Sequence, residues 1–137
     1  MFEQCLYFNT TSLARKLERE WTLAFKPFGL TPSQAFMLRV ILDKPGSYQN
    51  ALAKEMNITK PTASRGLEGL EKLGLIERAP SADDAREMEV HPTKKAKAMR
   101  DGINTASGEV TKKLKKLLGA NEFLDVVGKL RGISEVL

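Results

Sequence analysis

Apolar positions along this chain recur mostly at helical spacing, and alternate at period two in one short stretch only. Leu6, Leu13, Leu17, Trp21 and Phe25 form one stripe that runs up to Pro27. Ala96, Met99, Ile103, Ala106, Val110, Leu114 and Leu117 form a second, and Phe123, Val126, Leu130, Ile133 and Leu137 a third, beyond Gly119. Steps of three and four place such residues on one face of an α-helix, as helices that pack lengthwise require. Three long stripes at the chain ends exceed what a small domain needs for its own core, and they predict an interface between two copies.

The middle of the chain carries finer punctuation. Leu52, Met56 and Ile58 give a short helix its apolar side, with Ala53 where a second helix must approach closely. Asn57 falls at the turn, because its short polar side chain tolerates the left-handed backbone of a tight bend. Thr59 predicts an N-cap, and Pro61 lies in the first turn, where a missing N–H costs nothing. Ala63, Leu67, Leu70 and Leu73 then face inward, while Lys60, Thr62, Ser64, Arg65 and Lys72 are left for solvent or a partner. Gly74 ends that helix. Leu75-Ile76-Glu77-Arg78 begins a strand, residues 79–85 form a turn-rich link, and Arg86-Glu87-Met88-Glu89-Val90 alternates polar and apolar. Two helices across a tight turn, followed at once by a hairpin, predict a winged helix-turn-helix: a mainly α fold with a small β-wing. A helix whose first turns present hydroxyls and long cations suits the edges and phosphates of a DNA major groove. The DNA-binding set is therefore Gln49, Asn50, Thr59, Lys60, Pro61, Thr62, Ser64, Arg65 and Lys72, with Asp84 and Arg86 on the wing.

These segments resemble the MarR family of bacterial regulators. Leu30-Thr31-Pro32-Ser33-Gln34 is similar to that family's LTxxQ opening of its second helix, and Leu67 to Arg78 resembles its LxxLexkGlIeR run out of the recognition helix. Asp84-Ala85-Arg86 matches a D-x-R at the wing, and Thr93 the threonine that opens the next long helix. The resemblance implies one domain over residues 1–137, with a winged part at 30–93 and dimerisation helices at 1–28 and 94–137. It also implies a two-fold dimer acting on double-stranded DNA as a transcriptional regulator, more often a repressor, at a near-palindromic operator. Two departures stand out. Gly66 and Gly69 lie inside the recognition helix, each costing about 1 kcal/mol relative to Ala, and Gly102 and Gly108 interrupt the long helix in the same way. The wing sets Glu87 and Glu89 beside Arg86, so it offers one cation.

Composition agrees and narrows the alternatives. The 137 residues suffice for one core, and the formal charge of +5 suits a polyanionic partner, although much of the excess lies at 94–100 and 112–116. No signal peptide follows Met1, no apolar run spans a membrane, and one cysteine suits a reducing cytoplasm. His91 has no companion ligand nearby in sequence, and no nucleophile triad, phosphate cradle or CxxC occurs, so neither an enzyme nor a metal or other cofactor is expected.

Two signal routes stay open. The family commonly binds phenolic or other aromatic acids, and Phe8, Trp21, Phe25, Phe36 and Met37 are candidates to line such a pocket, with Arg39 as the anion anchor. Cys5-Leu6-Tyr7-Phe8, with Ser12 beyond, resembles the start of the first helix in the peroxide-sensing OhrR branch, where a cysteine is oxidised and DNA released. Asn9 and Arg19, however, occupy the positions where that branch places thiol-holding tyrosines. A winged-helix module used only for protein contacts is the remaining alternative.

Overall fold

The computed structural model of the chain describes residues 1–137. Helix α1 (Leu6–Phe25) passes through a short 3-10 turn (Lys26–Phe28) into α2 (Pro32–Asp43). Strand β1 (Ser47–Tyr48), helices α3 (Gln49–Glu55) and α4 (Lys60–Lys72), and strands β2 (Ile76–Pro80) and β3 (Met88–Pro92) follow, and α5 (Lys94–Leu118) and α6 (Ala120–Val136) close the chain. Local chemistry sets several of these boundaries. Thr31 and Gln34 form a reciprocal capping box at α2. The hydroxyls of Thr59 and Thr93 accept from Thr62 and Ala96 at the starts of α4 and α5. Asn57 adopts φ 55° between α3 and α4. Gly74, at φ +73°, turns the chain out of α4 in a conformation that side chains resist.

The wing differs in detail from the pattern's expectation. β2 extends through Ala79 and Pro80, while Arg86 and Glu87 lie in the turn before β3, because Glu87 N–H bonds to Asp84 O and Arg86 N–H to the Asp84 carboxylate. The sheet also has a third strand: the two residues of β1 pair with Val90 and Glu89, giving the antiparallel order β1-β3-β2. Such a short strand shows no alternation for a sequence pattern to reveal.

The core sits where α2, α4, the sheet and the first half of α5 converge, around Phe25, Leu38, Ile41, Leu52, Leu67, Leu70, Val90 and Ile103. Leu73, expected to face inward, is 40% exposed because α4 ends at Lys72 and the chain turns away. Gly66 and Gly102 prove to be close-packing positions: an added Cβ would lie 2.8 Å from Met37 Cε and 2.8 Å from Phe28 Cε1. At the chain ends the stripes are only partly covered: Leu6 and Leu13 of α1 and Val126, Leu130 and Ile133 of α6 stay exposed. Phe25 is the only fully buried residue of α1, and α6 has none.

Candidate nucleic-acid interface

The amino-terminal end of α4 projects Lys60, Pro61, Thr62 and Arg65 into solvent, with Ser64 half-buried beside them. Ala63 and Leu67 fix this face by sealing the opposite one in the core. The exposed side chains are pre-ordered. Thr59 Oγ1 donates to Thr62 Oγ1 at 2.9 Å, and Arg65 Nη2 donates to the same oxygen at 3.3 Å. Thr62 therefore accepts twice, and its own hydroxyl proton is free for an outside acceptor. The Arg65 guanidinium keeps its remaining donors in a rigid fork, the geometry that guanine edges and phosphates accept. Lys72, by contrast, lies about 18 Å further along the helix and pairs with Glu68 at 3.4 Å.

The wing is held at its root by Ser81, which the sequence did not single out. It is 6% exposed; its hydroxyl lies 3.1 Å from that of Tyr48 and accepts the backbone N–H groups of Asp83 and Asp84. A serine two residues ahead of Asp-Asp is a weak turn signal, but its burial depends on Tyr48, 33 residues away. Beyond it Arg86 stands 90% exposed, and both its backbone N–H and its guanidinium bond to Asp84. Those hydrogen bonds, the side-chain one foremost, hold the Asp84 carboxyl below its ordinary range.

Gln49 and Asn50 are engaged within the free chain. Gln49 Oε1 accepts from Arg78 Nη1 at 3.3 Å, and Arg78 also binds Glu71 at 3.1 Å. The Arg78 hydrogen bond, more than its charge, keeps the Glu71 carboxyl below the usual value. Arg78 thus ties α3, α4 and β2 together, a role outside the expected contact set. Asn50 Nδ2 donates to both carboxylate oxygens of Glu87, at 3.1 and 3.3 Å.

The six candidate ligand residues do not share one cavity. Phe25 and Met37 are enclosed in the core, and Phe8 packs on Phe2 at 5.2 Å near the start of α1. Phe36 and Arg39 do line an open cavity of about 500 Å³ between α2 and α5, with Lys44, Arg100 and Asn104. Arg39 lies 5.2 Å over the Phe36 ring, donates to Asn104 and Ser107, and has its pKa lowered by burial. Trp21 Nε1 donates to the same Ser107 hydroxyl at 3.1 Å. Cys5 is exposed just before α1, and the Asn9 amide donates to the carbonyls of Phe2, Glu3 and Cys5. His91 lies 3.6 Å from Glu89 on the sheet surface.

A turn-linked helix pair and a three-stranded sheet whose hairpin loop carries Arg86 define a winged helix-turn-helix. The model of the MarR family matches residues 28–87. The chain is 28% identical over 125 residues to the HTH-type transcriptional regulator MgrA of Staphylococcus aureus, covering 83% of this chain and 85% of that one. It is 32% identical over 85 residues, 62% of its length, to the uncharacterised HTH-type transcriptional regulator YybA of Bacillus subtilis, and spans little more than half of that protein, 57%. Its fold superposes on that of S. aureus MepR in a DNA complex with a TM-score of 0.88 at 22% identity, over 98% of this chain and 100% of the other. Through residues 28–87 and these relatives, the chain is similar to the MarR family of winged-helix transcriptional regulators. No helix is long and apolar enough to cross a membrane.

Proposed function

We propose that this chain is a cytoplasmic homodimeric repressor that binds a near-palindromic operator, with α4 in the major groove and the wing on the flanking minor groove. The observation that carries this reading is the pre-ordered end of α4: Thr62 and Arg65, joined through one hydroxyl, face solvent beside Lys60. Arg86 supports a minor-groove contact, since narrow A·T-rich segments attract an exposed guanidinium. The exposed parts of the α1 and α6 stripes support two-fold pairing, which would set half-sites about one helical turn apart, roughly 34–36 Å. Selection of preferred duplexes from a random pool tests the whole reading. A near-palindrome with that spacing is expected, and no enrichment over the starting pool would leave the protein-contact reading in its place.

The cavity beside Phe36 and Arg39 supports a small aromatic or phenolic acid as the signal, its carboxylate toward Arg39 and its ring toward Phe36. Its position matters because Ser107 binds both Arg39 of α2 and Trp21 of α1. An occupant there would shift the helix that carries the winged part against the terminal helices. The exposure of Cys5 supports an oxidant route as the second reading. Alkylation of Cys5 that leaves DNA binding and its release unchanged would remove that route.

A further inference from the structure

One acid of the wing, Glu87, turns its carboxylate onto a residue of α3. Glu87 closes the wing loop through its backbone, donating to Asp84 O and accepting from Ser81 N–H, so its side chain leaves from a fixed point. That side chain takes part in none of the chain's ion pairs. It presents both carboxylate oxygens to the Asn50 amide, at 3.1 and 3.3 Å. Asn50 is exposed on α3 within the expected DNA-binding set, where a side-chain amide can donate to a backbone phosphate. An anion without a cation on such a surface opposes the approach of any duplex.

We propose that Glu87 is a built-in stand-in for a DNA phosphate. In the free protein its two oxygens occupy the Asn50 amide as two phosphate oxygens would, and a docking backbone must displace them. The displacement is sequence-independent, so Glu87 lowers affinity for every duplex by one factor and leaves base preference untouched. It sets how tightly the regulator holds DNA, while α4 sets where. The inference rests on the DNA-binding reading above.

Three variants test it against a mixed-sequence duplex of about 30 base pairs, roughly three helical turns, and against a selected operator. Glu87→Gln keeps an oxygen for Asn50 and removes the charge. Its affinity for both duplexes should rise by the same factor, roughly two- to fivefold, the size of one exposed charge contact. Glu87→Ala should raise affinity at least as much, and its gain should shrink by about half or more in an Asn50→Ala background. Glu135→Gln on α6 repeats the net charge change elsewhere and should leave affinity unchanged. If Glu87 were a strut for the wing, Glu87→Ala would weaken binding and Glu87→Gln would do nothing, and that result overturns the assignment. Equal gains with and without Asn50, or an equal gain from Glu135→Gln, would reduce it to general charge and overturn it as well. Wild-type protein that bound neither duplex would remove the DNA-binding reading itself, whereas wild-type binding with inert Glu87 variants removes only this assignment.

Discussion

The winged part and the terminal helices are written in the same three-and-four spacing, yet one is complete and the other is not. Leu38, Leu52, Leu67, Leu70 and Val90 are all buried, because each stripe in the middle of the chain meets another within the chain. In α6 the same spacing leaves Leu130 40% and Ile133 37% exposed. Helical periodicity states which face must be covered; it does not state by what. The winged part covers its own stripes within one chain, and the terminal helices leave theirs partly open.

The sharpest way to break that contrast is to delete residues 120–137. A single chain loses no buried residue by this cut, so an intramolecular account expects a folded monomer. Pairing through the terminal helices expects aggregation or loss of the cooperative transition, because the apolar faces left open on the remaining terminal helices would lose their cover. Size-exclusion chromatography with circular dichroism distinguishes the two. Within the reading head, Arg65→Ala should leave the fold intact and flatten base preference by about 1–3 kcal/mol per half-site, seen as a loss of contrast between operator and mutated operators. Unchanged contrast would remove Arg65 from the reading set.

The next effect is on packing. Gly102→Ala sets a methyl 2.8 Å from the edge of the rigid Phe28 ring; this crowding, about 1–3 kcal/mol, should exceed the helix-propensity gain of about 1 kcal/mol and leave a net loss in a denaturant melt. Gly66→Ala meets only the end of the flexible Met37 side chain, and the gain in helix propensity, about 1 kcal/mol, should offset the crowding. A larger loss at Gly66 than at Gly102 would contradict this reading of the two contacts. The smallest expected change is in the wing. Arg86→Ala should weaken binding without altering the bases selected and reduce the salt dependence by about one released ion; Asp84→Ala should do so more mildly. Because its hydrogen bonds to Arg86 hold the Asp84 carboxyl low, the Arg86–Asp84 contact should survive across neutral pH. It should be lost only as pH falls through that lowered value, with the unfolded carboxyl already protonating above it.

What the sequence disclosed was local. Thr59, Asn57 and Gly74 act through their own backbone neighbours, so cap, turn and helix end were readable where they occur. The winged class was readable for the same reason. The departures are tertiary or terminal. Leu73 kept the stripe's spacing but lies one residue past the helix, and two-residue β1 exists only because β3 pairs with it. Arg78 could be quoted as part of a motif, yet its tie to Glu71 and Gln49 depends on three elements meeting. The aromatic set split for a related reason: spacing cannot tell Phe25, sealed in the core, from Phe36, which edges a cavity.

The most direct test is the mass of the complex on a selected operator duplex, measured by light scattering or native mass spectrometry. Two chains on one near-palindromic duplex are expected, each supplying one α4 to one half-site. A single chain bound to a single half-site at full affinity would contradict the pairing on which the functional reading depends.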